Sequence, residues 1–239
     1  MTTTIKAVLT GHSRGLGAAI AAELAARGIP LLALSRSTGE AIDGVRQLAL
    51  DLSDPAALAA WLAGGELQAF VAGADSVLLI NNAGMLQPVG PISGHAPADI
   101  ARAISLHVSA PLMLSSAVAA SDVKERRVLH VSSGAGRNAY PGWSVYCAGK
   151  AALDHHARAA ALDKAPGLRI CSLAPGVIDT DMQAQIRATD AASFPLKAQF
   201  EALKRDGGLA SPEDCAKRLV AFALSPVFGD APVADLRDF

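Results

Sequence analysis

The sequence predicts a three-layer α/β/α fold around a doubly wound, parallel β-sheet of about seven strands, and three observations predict it. Short apolar runs alternate with longer helical patterns along the chain, the mark of repeated βαβ units. Most of those runs lack polar alternation, as strands covered on both faces do. The chain is 239 residues long, 51% hydrophobic and 18% charged, which suits one large core and argues against disorder. We therefore expect a single domain over 1–239.

The strands are expected at Ile5–Thr10, 30–35, 46–50, Ser76–Asn81, 127–132 and Leu168–Ala174, with a short seventh near 233–236. After the first strand, Leu16, Ile20 and Leu24 fall at i, i+4 and i+8 on one helix face, and Gly28 stands where a C-cap belongs. Ser211-Pro212-Glu213-Asp214 reads as a helix start, with a capping serine, a first-turn proline and acids at the positive dipole end. Residues 181–210 are the least regular part and follow the sixth strand. Ligands of such sheets bind beyond the carboxyl ends of the strands, which makes 181–210 a natural lid over the substrate.

Composition excludes several classes. The formal net charge is −1 with no basic block, so nucleic acid is not an expected partner. No apolar stretch reaches the length of a membrane span, and the chain enters its first strand too early for a signal peptide. Cys147, Cys171 and Cys215 form no CxxC pair and read as reduced thiols of a cytoplasmic protein. The six histidines show no HxxxH or HExxH spacing, so no metal is expected. Aromatics are only 4%, leaving the core to Ala, Leu, Val and Ile.

The first motif with chemistry is Thr10-Gly11-His12-Ser13-Arg14-Gly15-Leu16-Gly17, directly after strand one and opening helix one. Gly11 permits the tight turn, Gly15 lets main chain approach a pyrophosphate, and Gly17 allows close packing of the helix. The helix N-terminus presents N–H groups and positive dipole to phosphate, the arrangement of a Rossmann-type dinucleotide site. Arg36, just past strand two, stands where NAD-binding units carry an acid, and it suits a 2′-phosphate. Arg14 approaches the same group from the loop. Taken singly, either arginine also reads as a solvated surface residue. Asp51 is placed to accept from an adenine amino group, or belongs with Asp54 to a helix-capping region.

A second cluster is Ser132-Ser133 after strand five, followed by Tyr146-Cys147-Ala148-Gly149-Lys150. Tyr146 and Lys150 at i, i+4 share a helix face. An ammonium lowers the pKa of a neighbouring tyrosine toward the working pH. Such a tyrosine donates a proton to a carbonyl oxygen as hydride arrives at carbon, and Ser133 hydrogen-bonds that oxygen. A lone YxxxK is as readily an exposed amphipathic pair. Its place behind a serine-ended strand and a phosphate loop points to catalysis.

These motifs, with Asn81-Asn82-Ala83-Gly84 and Pro175-Gly176-Val177-Ile178-Asp179-Thr180, stand in the order of the short-chain dehydrogenase/reductase family, which the chain resembles over nearly its whole length. The interval of 13 from Ser133 to Tyr146 is also that of the family. The resemblance implies an NADP(H)-dependent oxidoreductase acting on a small carbonyl compound. It implies that Asn82 and its neighbours Ala83 and Gly84 support the cofactor, and that Lys150 binds the nicotinamide ribose. Ile178 and Thr180 would contact the nicotinamide amide and the phosphates. Ser13, Leu16, Leu52, Pro175 and Gly176 complete the implied cofactor set. Arginines placed like Arg14 and Arg36 mark NADP-using members, and a homodimer or homotetramer is implied through the helices holding Tyr146 and Ile104.

Tyr140-Pro141-Gly142-Trp143 and Asp181-Met182-Gln183-Ala184-Gln185-Ile186 look like bacterial benzil reductases and sepiapterin-reductase-like enzymes, which reduce vicinal dicarbonyls. On that likeness Met85, Leu86, Tyr140, Trp143, Met182 and Ile186 line an apolar pocket, although each also reads as plain packing. Three departures from the family stand out. His107 replaces an asparagine that helps hold a water relay behind the lysine; it reads either as a relay member titrating near pH 6.5 or as a satisfied packing residue, with backbone groups holding the water. Gly149 replaces the commoner serine, and the last strand lacks Asp-Gly-Gly. The rival readings are a 3-ketoacyl reductase or broad alcohol dehydrogenase of the same family, and a non-catalytic NADP(H)-sensing protein.

Overall fold

The apolar runs become β1 (Ile5–Thr10), β2 (Leu31–Ser35), β3 (Val45–Ala49), β4 (Ser76–Asn81), β5 (Glu125–Val131), β6 (Leu168–Ala174) and β7 (Val233–Asp235) in the computed structural model, which describes residues 4–190 and 192–239. All pair in parallel, in the order β3-β2-β1-β4-β5-β6-β7. β5 begins two residues earlier than its apolar run because its register sets Glu125 against Ser76 at the start of β4. β3 likewise pairs Val45 with Leu31, one residue ahead of the expected start.

Every crossover but the β2–β3 connection, a plain loop, is helical: α1 (Gly15–Ala26), α2 (Pro55–Ala63), α3 (Glu66–Val71), α4 (Pro97–Ile104), α5 (Ala110–Ala119), α6 (Ser144–Leu162), α7 (Asp181–Ala188), α8 (Lys197–Arg205) and α9 (Pro212–Leu224). Leu16, Ile20 and Leu24 bury one face of α1, and Gly28 follows it with φ +67°. Ser211 caps α9 by accepting from Asp214 N at 3.0 Å. α1 and α9 cover one sheet face and α2, α3, α5 and α6 the other, so β2 and β4 are buried along their whole length. No helix is long and apolar enough to cross a membrane among the described residues.

The segment 181–210 corrects the sequence expectation, for it carries two helices where the least regular structure was expected. Asp181 and Arg187 complement the dipole of α7 at its two ends. α8 turns Phe200 inward and keeps Lys204 and Arg205 in its last turn. The strand order reverses between β1 and β4, and the two loops leaving that point open the crevice in which such folds bind ligand.

Candidate active site

The glycine loop leaves β1 and is stapled to the end of β4. Asn82 Nδ2 donates to Thr10 O at 3.0 Å and Gly11 O at 3.1 Å, while Thr10 Oγ1 accepts from the amides of Asn82 and Ala83. A Cβ on Gly17 would lie 1.9 Å from Gly11 O, so helix α1 starts flush on the loop only because that residue is glycine. The cradle this leaves, at a helix N-terminus, fits the pyrophosphate of a dinucleotide. Ser13, Gly15 and Leu16 line it, and the Thr180 methyl would lie 3.3 Å from a Cβ on Gly15, which closes the loop against the chain after β6.

Arg36, Asp51 and Leu52 line the same cleft, and Arg14 pairs with Asp181 at 3.7 Å on its exposed rim. Asp54 caps α2, whereas Asp51 accepts from Ser53 N and Oγ, so the two acids have separate jobs. The Ser53 hydrogen bond holds the Asp51 carboxyl below its usual range, with Arg102 and Arg36 adding to the effect. Arg102 gave no signal in the sequence, because α4 reaches this end of the cleft only through the tertiary fold.

Ser133 sits just past β5 in extended backbone and accepts from Ala135 N at 3.2 Å. Tyr146 and Lys150 share the buried face of α6, and the Ser133 side chain lines the same cleft as the Tyr146 hydroxyl. Lys150 Nζ donates to Val131 O at 2.7 Å and stands 5.7 Å from the centre of the Tyr146 ring. Burial pushes the Tyr146 hydroxyl up to about 12, against the opposing influence of the Ser133 hydroxyl, and pulls Lys150 down to about 8. This corrects the expected lowering of the tyrosine by its neighbouring ammonium. Nζ is anchored to a main-chain carbonyl, and burial of the phenol dominates. At neutral pH Tyr146 holds its proton and Lys150 is a cation.

His107 lies in a π-helical turn, Ser105–Ser109, between α4 and α5, a distortion often found at functional sites. Its Nε2 lies 2.7 Å from Met85 O and 3.3 Å from Met85 N, which ties the ring to the loop after β4. Its ring stands edge-on to Tyr146 with centroids 5.5 Å apart. Burial, with the Lys150 charge, lowers His107 to about 3, which keeps the imidazole neutral near pH 7 and speaks for packing over titration. A Cβ on Gly149 would lie 2.8 Å from His107 Cβ. Gly149 thus lets the helix α6 backbone approach residue 107 closely.

Beyond the two hydroxyls the cleft, about 600 Å³ in all, is lined by Met85, Leu86, Tyr140, Trp143, Met182 and Ile186. Trp143 stacks on Phe194 at 4.5 Å and 7°, and Phe200 meets it at 5.4 Å. Neither phenylalanine was foreseen. Pro175, Gly176, Ile178, Ala83 and Gly84 form the wall between the two ends.

Residues 6–191 match the family model for short chain dehydrogenases. The chain belongs to the short-chain dehydrogenases. This short-chain dehydrogenase is 33% identical to a benzil reductase ((S)-benzoin forming) of Bacillus cereus over 89% of this chain and 91% of that one. It is 34% identical to the sepiapterin reductase of Xenopus laevis, over 89% and 88%. A solved short-chain dehydrogenase/reductase from Burkholderia vietnamiensis shares 47% identity across the whole of both chains, with a TM-score of 0.71. Membership makes the protein an oxidoreductase of a family that uses nicotinamide cofactors and small-molecule substrates.

Proposed function

We propose that this short-chain dehydrogenase is an NADPH-dependent carbonyl reductase whose substrates are vicinal dicarbonyls, benzil-like diketones or the side-chain carbonyl of a pterin. The observation that carries this reading is the meeting of the Ser133 and Tyr146 hydroxyls in one cleft, with a dinucleotide cradle at one end and an aromatic wall at the other. The benzil and sepiapterin reductase relatives support the substrate class. Arg14 and Arg36, two cations at the adenosine end with no acid in the usual NAD position, support the 2′-phosphate.

Gly11–Gly17 would hold the pyrophosphate of NADPH, and Lys150, Ile178 and Thr180 its nicotinamide end, which when bound would supply hydride to the substrate carbonyl carbon. Ser133 and Tyr146 donate to the carbonyl oxygen, which aligns and polarises it. Tyr146 then gives its proton to that oxygen as negative charge develops. The high pKa that burial imposes keeps this proton in place until the substrate needs it. Lys150, cationic beside the ring, stabilises the tyrosinate left behind. The segment 181–210 closes over the substrate as a lid.

The test follows NADPH consumption with benzil, pterins, quinones and ketoacyl thioesters. We expect benzil to be reduced at one carbonyl to a hydroxyketone. Tyr146→Phe should keep NADPH binding and lose roughly 10²–10⁴ in kcat, the usual worth of a general acid. Turnover near the wild-type rate in that variant would falsify the catalytic assignment. Good activity on ketoacyl thioesters with none on any diketone would make the protein a ketoacyl reductase.

A further inference from the structure

Asp154 stands one turn beyond Lys150 on α6, and its side chain is 1% exposed. Its Oδ1 accepts from Ser132 Oγ and from Ser172 Oγ, each at 2.7 Å. Its Oδ2 accepts from Arg137 Nε at 3.1 Å. Arg137 in turn donates to Ala234 O at 2.8 Å and faces Asp235 at 3.9 Å. One buried carboxylate therefore joins the end of β5, the middle of β6, the turn after Ser133, helix α6 and, through the arginine, β7. Ser132 immediately precedes Ser133. The turn over Gly134–Gly136 is pressed so close that a Cβ on Gly136 would lie 3.0 Å from Lys150 O and 3.2 Å from Asp154 Oδ2.

We infer that Asp154 is a positioning residue of the active site: it fixes the backbone that carries Ser133 and sets a buried negative charge one helical turn from Lys150. The inference rests on the roles given above to Ser133, Tyr146 and Lys150. The surroundings of Lys150 single out the carboxylate. From the π-helical turn His107 faces it, from β5 His130, and from α6 Tyr146; burial keeps all three uncharged at neutral pH. Cys171, on β6 near Asp154, is held as a thiol by burial. Among the described residues Arg137 is the one cation bonded to the carboxylate, and it also binds β7. Against the desolvation that pulls Lys150 down to about 8, the opposing influence is Asp154. Removing that charge brings the lysine toward neutrality under working conditions, and a neutral amine no longer steadies a tyrosinate.

The experiment compares wild type, Asp154→Asn and Arg137→Gln in two readouts: the NMR titration of the Lys150 ε-methylene and the pH profile of kcat for a confirmed carbonyl substrate. The Lys150 signal is assigned by its loss in Lys150→Met. Asp154→Asn should lower the lysine midpoint by about one pH unit, and the basic limb of kcat should move with it, so that the rate falls roughly tenfold at pH 8.5 and less than about twofold at pH 6.5. Arg137→Gln leaves the carboxylate less neutralised and should move both readouts the opposite way. This variant carries the test if Asp154→Asn does not fold. A lysine midpoint that stays put, or a rate loss equal at every pH, overturns the inference. Tyr146→Phe turning over at the wild-type rate would instead bring down the functional reading, and this inference with it.

Discussion

His107 and Gly149 come from different helices and occupy one space. A serine at 149 would drive its Cβ into the imidazole, and the backbone of α6 at that point also carries Tyr146 and Lys150. Gly149→Ser alone should therefore lower stability by about 1–3 kcal/mol, the range of overpacked cores. Adding His107→Gly, which removes the Cβ that a side chain at 149 would meet, should cost the serine variant less stability than it costs wild type, and thermal melts of the four-variant cycle measure the coupling. Simple additivity would refute the shared-space account. Arg36 supplies a second prediction at this scale. A charge-assisted bond is worth about 1.5–3 kcal/mol, so Arg36→Ala should weaken NADPH binding roughly ten- to hundredfold and leave NADH binding almost unchanged. Equal losses for both cofactors would make the arginine structural.

At the level of elements, what the sequence showed and what it hid differ in kind. The six principal strands, the face of α1 and the start of α9 were all legible, because each is written in a local run, a 3.6-residue period or a capping serine. The ordered motifs likewise gave the glycine loop and the Ser133, Tyr146 and Lys150 cluster. α7 and α8 were not legible. They span Asp181–Ala188 and Lys197–Arg205, too short to hold as isolated helices, and become ordered by burying Ile186 and Phe200 beneath Trp143. That contact joins residues some fifty positions apart, and no local pattern records it. Phe200→Ala should therefore act on the lid more than on the sheet. We expect KM for an aromatic diketone to rise about tenfold or more while NADPH affinity holds. A loss of NADPH binding equal to the loss of substrate binding would show that the segment supports the whole cleft instead.

For the molecule as a whole, two fully enclosed histidines set its response to acid. His107 and His130 both have pKa values of about 3 when folded, against 6.5 for the free side chain. Between those values the unfolded chain binds protons that the folded chain does not, so stability rises with pH through this window and is fully present above about 6.5. Acidification to pH 4 should remove about 3 kcal/mol for each histidine. The carboxylates held low, Asp51 and Asp235, weaken the fold only at lower pH, so they do not mask the onset. Urea midpoints measured from pH 7 to 4 should decline steadily from near pH 6.5. A level profile down to pH 5 would mean that one or both imidazoles are solvated.

The stacking of Trp143 on Phe194 also gives the protein an optical handle. The chain has two tryptophans, and the other, Trp61, lies on α2 against the opposite part of the fold. In a Trp61→Phe background, all remaining indole emission would originate at the wall of the cleft, a few ångströms from the Tyr146 ring. A reduced nicotinamide absorbs in the band where indole emits, so its arrival would quench that single fluorophore by energy transfer. A diketone entering afterwards would disturb the stacked pair itself. Cofactor loading and substrate entry then separate as two successive signals in a stopped-flow trace, without any attached dye.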